Sequence, residues 1–260
     1  MRITTRNRLG YLSHHNVGGR VELIADRYEW PSTAPRASDV LHPARDTLSG
    51  VTVSVLAVRA PDDSAEASRE ADRLRRYASV RHPHLAEVRT VEERAGLLRV
   101  VCEPLEGDLL LDDGDRLDVR SVQRLATGVL EALAALHQAG VTHGAVSARA
   151  LLLSHRTGPT AEPDVTLLPL PLLPDRPDLG PAAPDLGPGP AGRDADTTPA
   201  DDVRAAATVL LALLRRTPRV GMEESVLAAS LERELERAGG VGVPEAGDGR
   251  GTGEGGRVDA

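Results

Sequence analysis

The first third of the chain carries short apolar runs separated by polar turns. Residues 51–58 alternate and are rich in Val, which predicts a β-strand. A second strand is predicted at 97–105, directly after a turn at Gly96, and a third at 87–93, before that turn. These segments predict a small β-rich region.

A helix is predicted between these strands, at 64–80. Several positions recur at the spacing that places them on one helical face. The residues of that face are Ala67, Glu70, Ala71, Leu74 and Tyr77. Glu70 also stands three residues before Arg73, and such a pair stabilises a helix by about 0.2–0.5 kcal/mol. Pro83 ends the helical segment.

The strongest helical pattern covers residues 118–140. Asp118 suits the N-cap, and Gly140 stands where a left-handed residue commonly ends a helix. An unbroken apolar stripe runs along this segment and consists of Val122, Leu125, Val129, Leu133 and Leu136. Two short apolar runs follow, at 151–153 and 165–168, and they predict buried strands.

The last hundred residues mix two helical patterns with segments that have no apolar core. A nearly all-apolar helix is predicted at 199–216, and an amphipathic one lies within 217–239. Prolines crowd residues 169–199, which are predicted to form a low-complexity loop. The glycine-rich tail at 240–260 and the aperiodic residues 1–25 are predicted to be disordered. The order of elements predicts an α+β chain in two unequal lobes.

Composition removes whole chemistries from consideration. All 31 residues counted as Lys or Arg are Arg, Phe is absent, and Asn occurs only as Asn7 and Asn16. Without Lys, the chain has no Schiff-base lysine and no Walker-type phosphate loop. High Arg, Ala, Gly and Pro contents are typical of GC-rich coding. Whatever the origin of this bias, the chemistries that require Lys are excluded.

The net charge and the single cysteine indicate which kinds of partner and which cellular compartment to expect. The formal net charge of −8 argues against general nucleic-acid binding. The single cysteine, Cys102, cannot form an internal disulfide, which fits a reducing compartment. Residues 1–16 have no apolar core, so no signal peptide is expected. The longest apolar stretch, 205–214, is well short of the roughly twenty residues that span a bilayer. We therefore expect a cytoplasmic protein with no membrane span.

Six segments stand in an order and spacing that one known family shares. They are 26–30, 44–56, 68–88, 100–110, 130–153 and 199–214. They resemble, in turn, the first strand, the strand 2 to strand 3 passage, helix C, the hinge, helix E with the catalytic loop, and helix F of bacterial, actinobacterial-type Ser/Thr protein kinases. The resemblance implies a protein-kinase-like bilobal fold with a small β-rich N-lobe at 26–104 and a shortened helical C-lobe at 105–216. The family continues through further helices, so a truncated C-lobe is expected.

The residues that carry phosphoryl transfer in that family are replaced in this chain. The phosphate-binding Lys of the third strand corresponds to Ser54, and the catalytic-loop Asp that accepts the substrate proton corresponds to Ala145. The loop Asn that holds magnesium corresponds to Ala150, and the Asp of the Asp-Phe-Gly element corresponds to Pro169. The resemblance therefore implies a degenerate domain with no catalytic residues, no metal site and weak or absent binding of ATP and Mg²⁺.

Other positions of the family pattern are retained. Glu70 corresponds to the helix C Glu, His143 to the catalytic-loop His, Asp202 to the helix F Asp that braces that loop, and Cys102 to the gatekeeper. Two interpretations of Glu70 stay open, a helix C anchor and a solvated surface residue, and its Arg-rich surroundings favour the second. His143 is interpreted as a packing residue and Cys102 as a small buried apolar residue, not a reactive thiol.

These features favour a pseudokinase that acts as a regulatory or scaffolding module through protein partners. Thr197 and Thr198 are candidate phosphorylation sites for an active kinase, and a phosphothreonine-binding domain would read the product. The alternative is a divergent Ser/Thr kinase that uses displaced acidic residues, of which Glu162 and Asp164 are nearest the metal position. A degenerate fragment without function is a further alternative.

Overall fold

The computed structural model describes residues 21–31, 41–61, 63–110, 117–155, 163–169 and 197–240. Within these ranges the strands are β1 Val21–Ile24, β2 Tyr28–Pro31, β3 Leu41–Asp46, β4 Thr52–Arg59, β5 Val88–Arg94, β6 Leu97–Cys102, β7 Asp108–Leu109, β8 Leu151–His155 and β9 Pro163–Leu167. The helices are α1 Ser64–Tyr77, α2 Val119–Gln138, α3 Pro199–Arg216 and α4 Gly221–Ala238.

The upper lobe is a six-stranded antiparallel sheet that curls around one buried arginine. The strand order is β1-β2-β3-β4-β6-β5, and α1 connects β4 to β5. Arg99 of β6 bonds Glu22 of β1 and Glu92 of β5, each at 3.0 Å, so it connects the two edge strands. Its guanidinium lies 5.1 Å from the centroid of the Trp30 ring. The curled sheet encloses an apolar cluster of Ile24, Tyr28, Trp30, Ala44, Val53, Val55, Ala57 and Val101.

The N-terminal boundary predicted at residue 26 is wrong. Strand β1 begins at Val21 and pairs with β2 in antiparallel register, from Val21 opposite Pro31 to Ile24 opposite Tyr28. The strand is held by the ion pair between Glu22 and the buried Arg99, 77 residues away in sequence. Residues 1–20 of the predicted extension lie outside the described residues.

Within the described residues, the lower lobe combines a three-stranded sheet with the three α-helices α2, α3 and α4. The sheet order is β7-β8-β9, and α2 packs against β9, α3 against α2, and α4 against both helices. The predicted stripe of α2 is buried, which confirms the sequence interpretation of that helix. One continuous apolar core contains residues of both lobes, from Leu56 and Leu74 to Leu210 and Leu214. No helix in the described part of the chain is long and apolar enough to cross a bilayer.

Other predicted elements match the structure with small shifts. The helix predicted at 64–80 ends at Tyr77, and the helix predicted at 199–216 has those bounds. Strand β7 was not predicted, because two residues carry too little pattern. Of the proline-rich loop, only Pro169 and residues 197–199 are among the described residues, and the tail beyond residue 240 lies outside them.

The segment between the lobes lies close against β8 because of one glycine. Gly107 adopts φ +141°, and a Cβ at this position would stand 2.1 Å from the carbonyl oxygen of Leu153. Only a residue without a Cβ permits this approach. Leu105 of the same segment packs against the shared core. The path of residues 103–110, between the two lobes, is therefore fixed by close packing against the lower lobe.

A buried carboxylate ties the upper sheet to this hinge segment. Asp46 is fully buried and accepts two hydrogen bonds from Arg27, at 2.8 and 2.7 Å. Arg89 contacts Asp46 at 3.3 Å and donates two bonds of 2.7 Å to Glu103, which directly follows β6. Arg27 is the main cause that holds the pKa of Asp46 well below its usual range. This chain of charges connects the β2–β3 pair to the start of the hinge.

We expect Arg99→Met to lower the free energy of unfolding by about 3 kcal/mol, because Glu22 and Glu92 lose a shared buried partner. Urea unfolding measures the change. Arg215→Met is the control, since Arg215 and Glu236 form an exposed pair whose loss costs under about 1 kcal/mol. Equal midpoints for the two variants would contradict a role for Arg99 in curling the sheet.

Candidate functional site

The segment that resembles a catalytic loop is braced from below by one carboxylate. Asp202, in the first turn of α3, is 1% exposed. It accepts the backbone N–H groups of His143 and Gly144, each at 2.7 Å, and lies 2.9 Å from Nε2 of His137. Gly144 adopts φ +73°, a conformation that glycine favours. Two buried amides thus depend on one acceptor.

His143 is fully buried, and both of its ring nitrogens are engaged. Nδ1 accepts the backbone N–H of Ala145 at 3.2 Å, so Nε2 carries the proton and donates to the carbonyl of Leu168 at 2.8 Å. Burial, and secondarily the cation of Arg73, lowers the pKa of His143 to about 4. The ring is neutral at pH 7 and holds the loop to the end of β9.

Glu70 is not a solvated surface residue, and the interpretation favoured by its Arg-rich surroundings is wrong. Its side chain is 6% exposed, because the face of α1 that carries it packs inward. Arg73 donates to both carboxylate oxygens, through Nε at 2.9 Å and Nη2 at 2.5 Å. The other Arg73 nitrogen, Nη1, donates to the backbone carbonyl of His143. A buried cation therefore connects the upper-lobe helix to the lower-lobe loop.

Ser54, at the position of the phosphate-binding Lys, is half-buried in β4, opposite Cys102 of β6. Its Oγ accepts the backbone N–H of Leu105 at 2.9 Å. The hydroxyl therefore satisfies an amide of the hinge segment. The short side chain of Ser54 therefore connects the upper sheet to the hinge segment.

The three other positions that the resemblance assigns to catalysis carry no oxygen ligand in their side chains. Ala145 is half-buried, Ala150 is fully buried, and Pro169 is buried at the end of β9. The backbone carbonyl of Ala150 accepts the N–H of Leu168 at 2.7 Å. Across the described ranges, no group of three or more His, Cys, Asp or Glu side chains could hold a metal ion.

Asp164, the displaced ligand considered for a divergent kinase, lies at the opposite end of β9 from Pro169. Its Oδ1 accepts the N–H of Val165 at 2.9 Å and lies 3.2 Å from Nδ1 of His84. Five residues of extended chain correspond to roughly 16 Å. The carboxylate is therefore remote from the position that a metal ligand of the cleft would take. Glu162 lies outside the described residues.

Cys102 is fully buried beneath the hinge. Burial raises the pKa of its thiol to about 12, so the thiolate is scarce at pH 7. This environment agrees with the interpretation of Cys102 as a small buried residue.

The two threonines ahead of α3 differ in their environment. Thr197 is half-buried, and Thr198 is exposed and is the N-cap of α3. Thr198 Oγ1 accepts the Asp201 N–H at 3.3 Å, and the Thr198 backbone N–H donates to Asp201 Oδ2 at 2.9 Å, which together form a capping box. Thr198 Oγ1 also donates to Asp201 Oδ2 at 2.7 Å. Hydrogen bonds from Thr198, with a further contribution from Arg204, lower the pKa of Asp201 to about 2. A phosphate on Thr198 would therefore meet an ionised carboxylate.

A surface groove of about 730 Å³ runs between α2 and α4, away from the interlobe cleft. Its lining residues are Arg120, Gln123, Arg124, Met222, Glu223, Val226, Leu227 and Ser230. Met222 and Val226 are 85% and 65% exposed, and Val220 beside them is 77% exposed. Large apolar side chains are thus concentrated at the N-terminal end of α4.

Comparison with known proteins shows the fold. No family model matches the chain, and no curated protein is similar to it. Among solved structures, the arrangement of a curled β-rich lobe over a helical lobe is that of protein kinases. One similar structure is a mutant of the PknI kinase domain of Mycobacterium tuberculosis, with a TM-score of 0.56 and 23% identity. The match covers 76% of this chain and 81% of that chain. The chain therefore has the bilobal α+β fold of protein kinases, as predicted.

Among the described residues, three positions that the resemblance assigns to Mg-ATP binding carry side chains without the groups that would hold it. Magnesium requires oxygen ligands in near-octahedral geometry, and Ala150 and Pro169 offer none from their side chains. The phosphates require a cation that reaches into the cleft, and Ser54 is short, uncharged and bonded to the hinge.

Sequence reasoning missed two of the residues that shape this site. Arg73 was seen as half of a helix-stabilising pair, yet its third donor reaches a residue 70 positions away. Leu105 acts through its backbone amide, and the residue type does not indicate such a contact. The i,i+3 spacing of Glu70 and Arg73 was the one available signal.

We expect Asp202→Ala to lower the free energy of unfolding by about 3 kcal/mol or more, because two buried amides lose their acceptor. Asp202→Asn keeps one oxygen and should lose less. Chemical denaturation measures both, with Asp72→Ala, an exposed carboxylate of α1, as a control that changes stability within about 0.5 kcal/mol. A loss for Asp202→Ala no larger than that of the control would refute the bracing role.

Stability should fall as the pH falls from about 6.5 to about 4. The unfolded chain protonates His143 near pH 6.5 and the folded protein only near pH 4, so the unfolded state binds more protons in this window. At about 1.4 kcal/mol per pKa unit, the contribution of this ring reaches about 3 kcal/mol. Urea unfolding at several pH values should give a shallower decline for His143→Gln than for the natural protein. Parallel declines would show that His143 is not the group responsible.

Proposed function

We propose that the protein is a pseudokinase, a catalytically inactive kinase-like module that acts in the cytoplasm by binding a protein partner. One observation carries the proposal: the hydroxyl of Ser54, at the position of the phosphate-binding Lys, is bonded to the hinge amide of Leu105. The Ser54 side chain, at the position that contacts phosphate in a kinase, instead bonds to the hinge segment.

The hinge contact argues against a bound nucleotide. A ligand in such a site is oriented by a few placed polar groups, and backbone amides are among them. The N–H of Leu105 is already donated to Ser54, with good length at 2.9 Å. A base that took this donor would leave the hydroxyl of Ser54 in need of another partner.

The charge balance of the cleft gives independent support. In an active kinase the helix C Glu pairs with the Lys that holds the phosphates. Here the carboxylate of Glu70 receives two bonds from Arg73, and Nη1 of Arg73 donates to the backbone carbonyl of His143. The cation that pairs with Glu70 is therefore held by groups of the protein itself.

The loss of several elements together argues against residual transfer. Phosphoryl transfer depends on positioning and charge stabilisation, and losing one such element commonly raises the barrier by about 3 kcal/mol. Ala145 cannot accept a proton, Ala150 and Pro169 cannot hold magnesium, and Asp164 lies at the far end of its strand.

The binding role is supported by the apolar end of α4. Met222 and Val226 are largely exposed beside the groove along α2, and concentrated apolar surface of this kind marks interaction sites. The proposed partner is a protein. It could be an active kinase that phosphorylates Thr197 or Thr198, or a phosphothreonine-binding domain that recognises the product. For Thr198, such a domain must supply Arg side chains to offset Asp201.

We expect Mg-ATP to leave the melting temperature unchanged. A ligand at a hundred times its Kd stabilises a protein by about 2.7 kcal/mol, and each kcal/mol moves the melting temperature by about 2–4 °C for a protein of this size. A thermal-shift titration therefore detects even moderate affinity, and an active kinase in the same buffer is the positive control.

A rise of several degrees with Mg-ATP would contradict the proposal. Transfer of labelled phosphate that Asp164→Ala abolishes would favour a divergent kinase instead. A chain that shows no cooperative melt at all would favour a degenerate fragment.

A further inference from the structure

Helix α1 belongs to the upper lobe, yet two of its buried side chains bond to backbone carbonyls of the lower lobe. Arg73 donates to the carbonyl of His143, and Tyr77, one turn later, donates to the carbonyl of Leu167 at 2.8 Å. We propose that Arg73 is an internal clamp that holds α1 against the catalytic-loop segment in the absence of any nucleotide. The inference rests on the proposed function, since a ligand-free clamp matters where no nucleotide joins the lobes.

The geometry suits a guanidinium and no other side chain. Arg presents five N–H donors in a rigid planar fork. In Arg73 the Nε and Nη2 donors point at the two oxygens of Glu70, and Nη1 points the other way, at His143. Lys has a single nitrogen on a flexible stem and cannot hold both partners in a fixed plane.

Burial makes this contact strong. The side chains of Arg73 and Glu70 are 9% and 6% exposed. Removing one member of such a pair leaves the other charge buried and uncompensated, which is far more costly than losing an exposed pair. Arg75 and Asp72, two residues along the same helix, form an i,i+3 pair that is 54% and 68% exposed. The chain thus contains a matched pair that differs mainly in burial and in its reach to the other lobe.

The receiving residue is itself fixed on two sides. The N–H of His143 is held by Asp202 of α3, and its ring is held by the carbonyl of Leu168 after β9. Arg73 therefore joins α1 to a point that is already attached to a helix and a strand of the lower lobe. The position of α1 follows from buried polar contacts within the chain. A surface formed by α1 is consequently preformed for a partner, which lowers the ordering cost of binding.

Hydrogen exchange of the full-length protein tests the clamp. For Arg73→Met we expect exchange in residues 142–148 to speed up by about tenfold or more, because their tie to α1 is lost. For the matched Arg75→Met, exchange in that segment should stay within about twofold of the natural protein. Faster exchange in α1 alone, with 142–148 unchanged in Arg73→Met, would overturn the inference.

Two further variants test the clamp if Arg73→Met unfolds. They are Arg73→Lys and the double variant Glu70→Gln with Arg73→Met. Arg73→Lys keeps the charge but loses the fork, so exchange in 142–148 should still rise, although less. The double variant removes the uncompensated charge and should fold better than Arg73→Met, yet its loop should stay fast-exchanging. A slow-exchanging loop in both variants would overturn the clamp.

Hydrogen exchange measured with and without Mg-ATP distinguishes a failure of this inference from a failure of the proposed function. If Mg-ATP slows exchange in 142–148 of the natural protein, the proposed function fails. The clamp is judged without nucleotide, from Arg73→Met against Arg75→Met. It fails if those two variants behave alike in 142–148, or if that segment exchanges slowly in both Arg73→Lys and the double variant.

Discussion

The arrangement of the two lobes depends on a buried cation that must be neutralised within the protein. Arg73 lies between a helix of one lobe and a loop of the other, at 9% side-chain exposure. A charge in such surroundings is tolerated only when it is paired and hydrogen-bonded. Glu70 pairs with the guanidinium and the carbonyl of His143 accepts a further bond from it, so the helix, the loop and the charge balance constrain one another.

The same requirement of satisfied polar groups explains how the kinase-like fold is held together at the positions that the resemblance assigns to catalysis. Asp202 satisfies two loop amides, His143 satisfies a strand-end carbonyl, and Ser54 satisfies a hinge amide. None of these contacts requires a ligand. In the proposed function, the cleft is a structural joint between the lobes, and recognition lies on the surface, where the N-terminal end of α4 exposes its apolar side chains.

Sequence reasoning succeeded where the controlling interactions are local. The apolar stripe of α2, its Asp118 cap and the alternating strand β4 all follow from residue spacing. It failed where long-range contacts decide. Strand β1 is held through Glu22 by an arginine 77 residues away, and Glu70 is buried because of a fold that its charged neighbours in sequence do not reveal. The role of Leu105 rests on its backbone, which no residue pattern can signal.

The most direct test of the central claim, that the cleft is satisfied by its own groups and takes no nucleotide, is an NMR titration of isotope-labelled protein with Mg-ATP. The backbone amides of Leu105 and Gly144 report on the hinge and on the loop. If the site between the lobes takes no nucleotide, both resonances stay unchanged up to high ligand excess. Saturable shifts at Leu105 and Gly144 together would show a nucleotide in the cleft and contradict it.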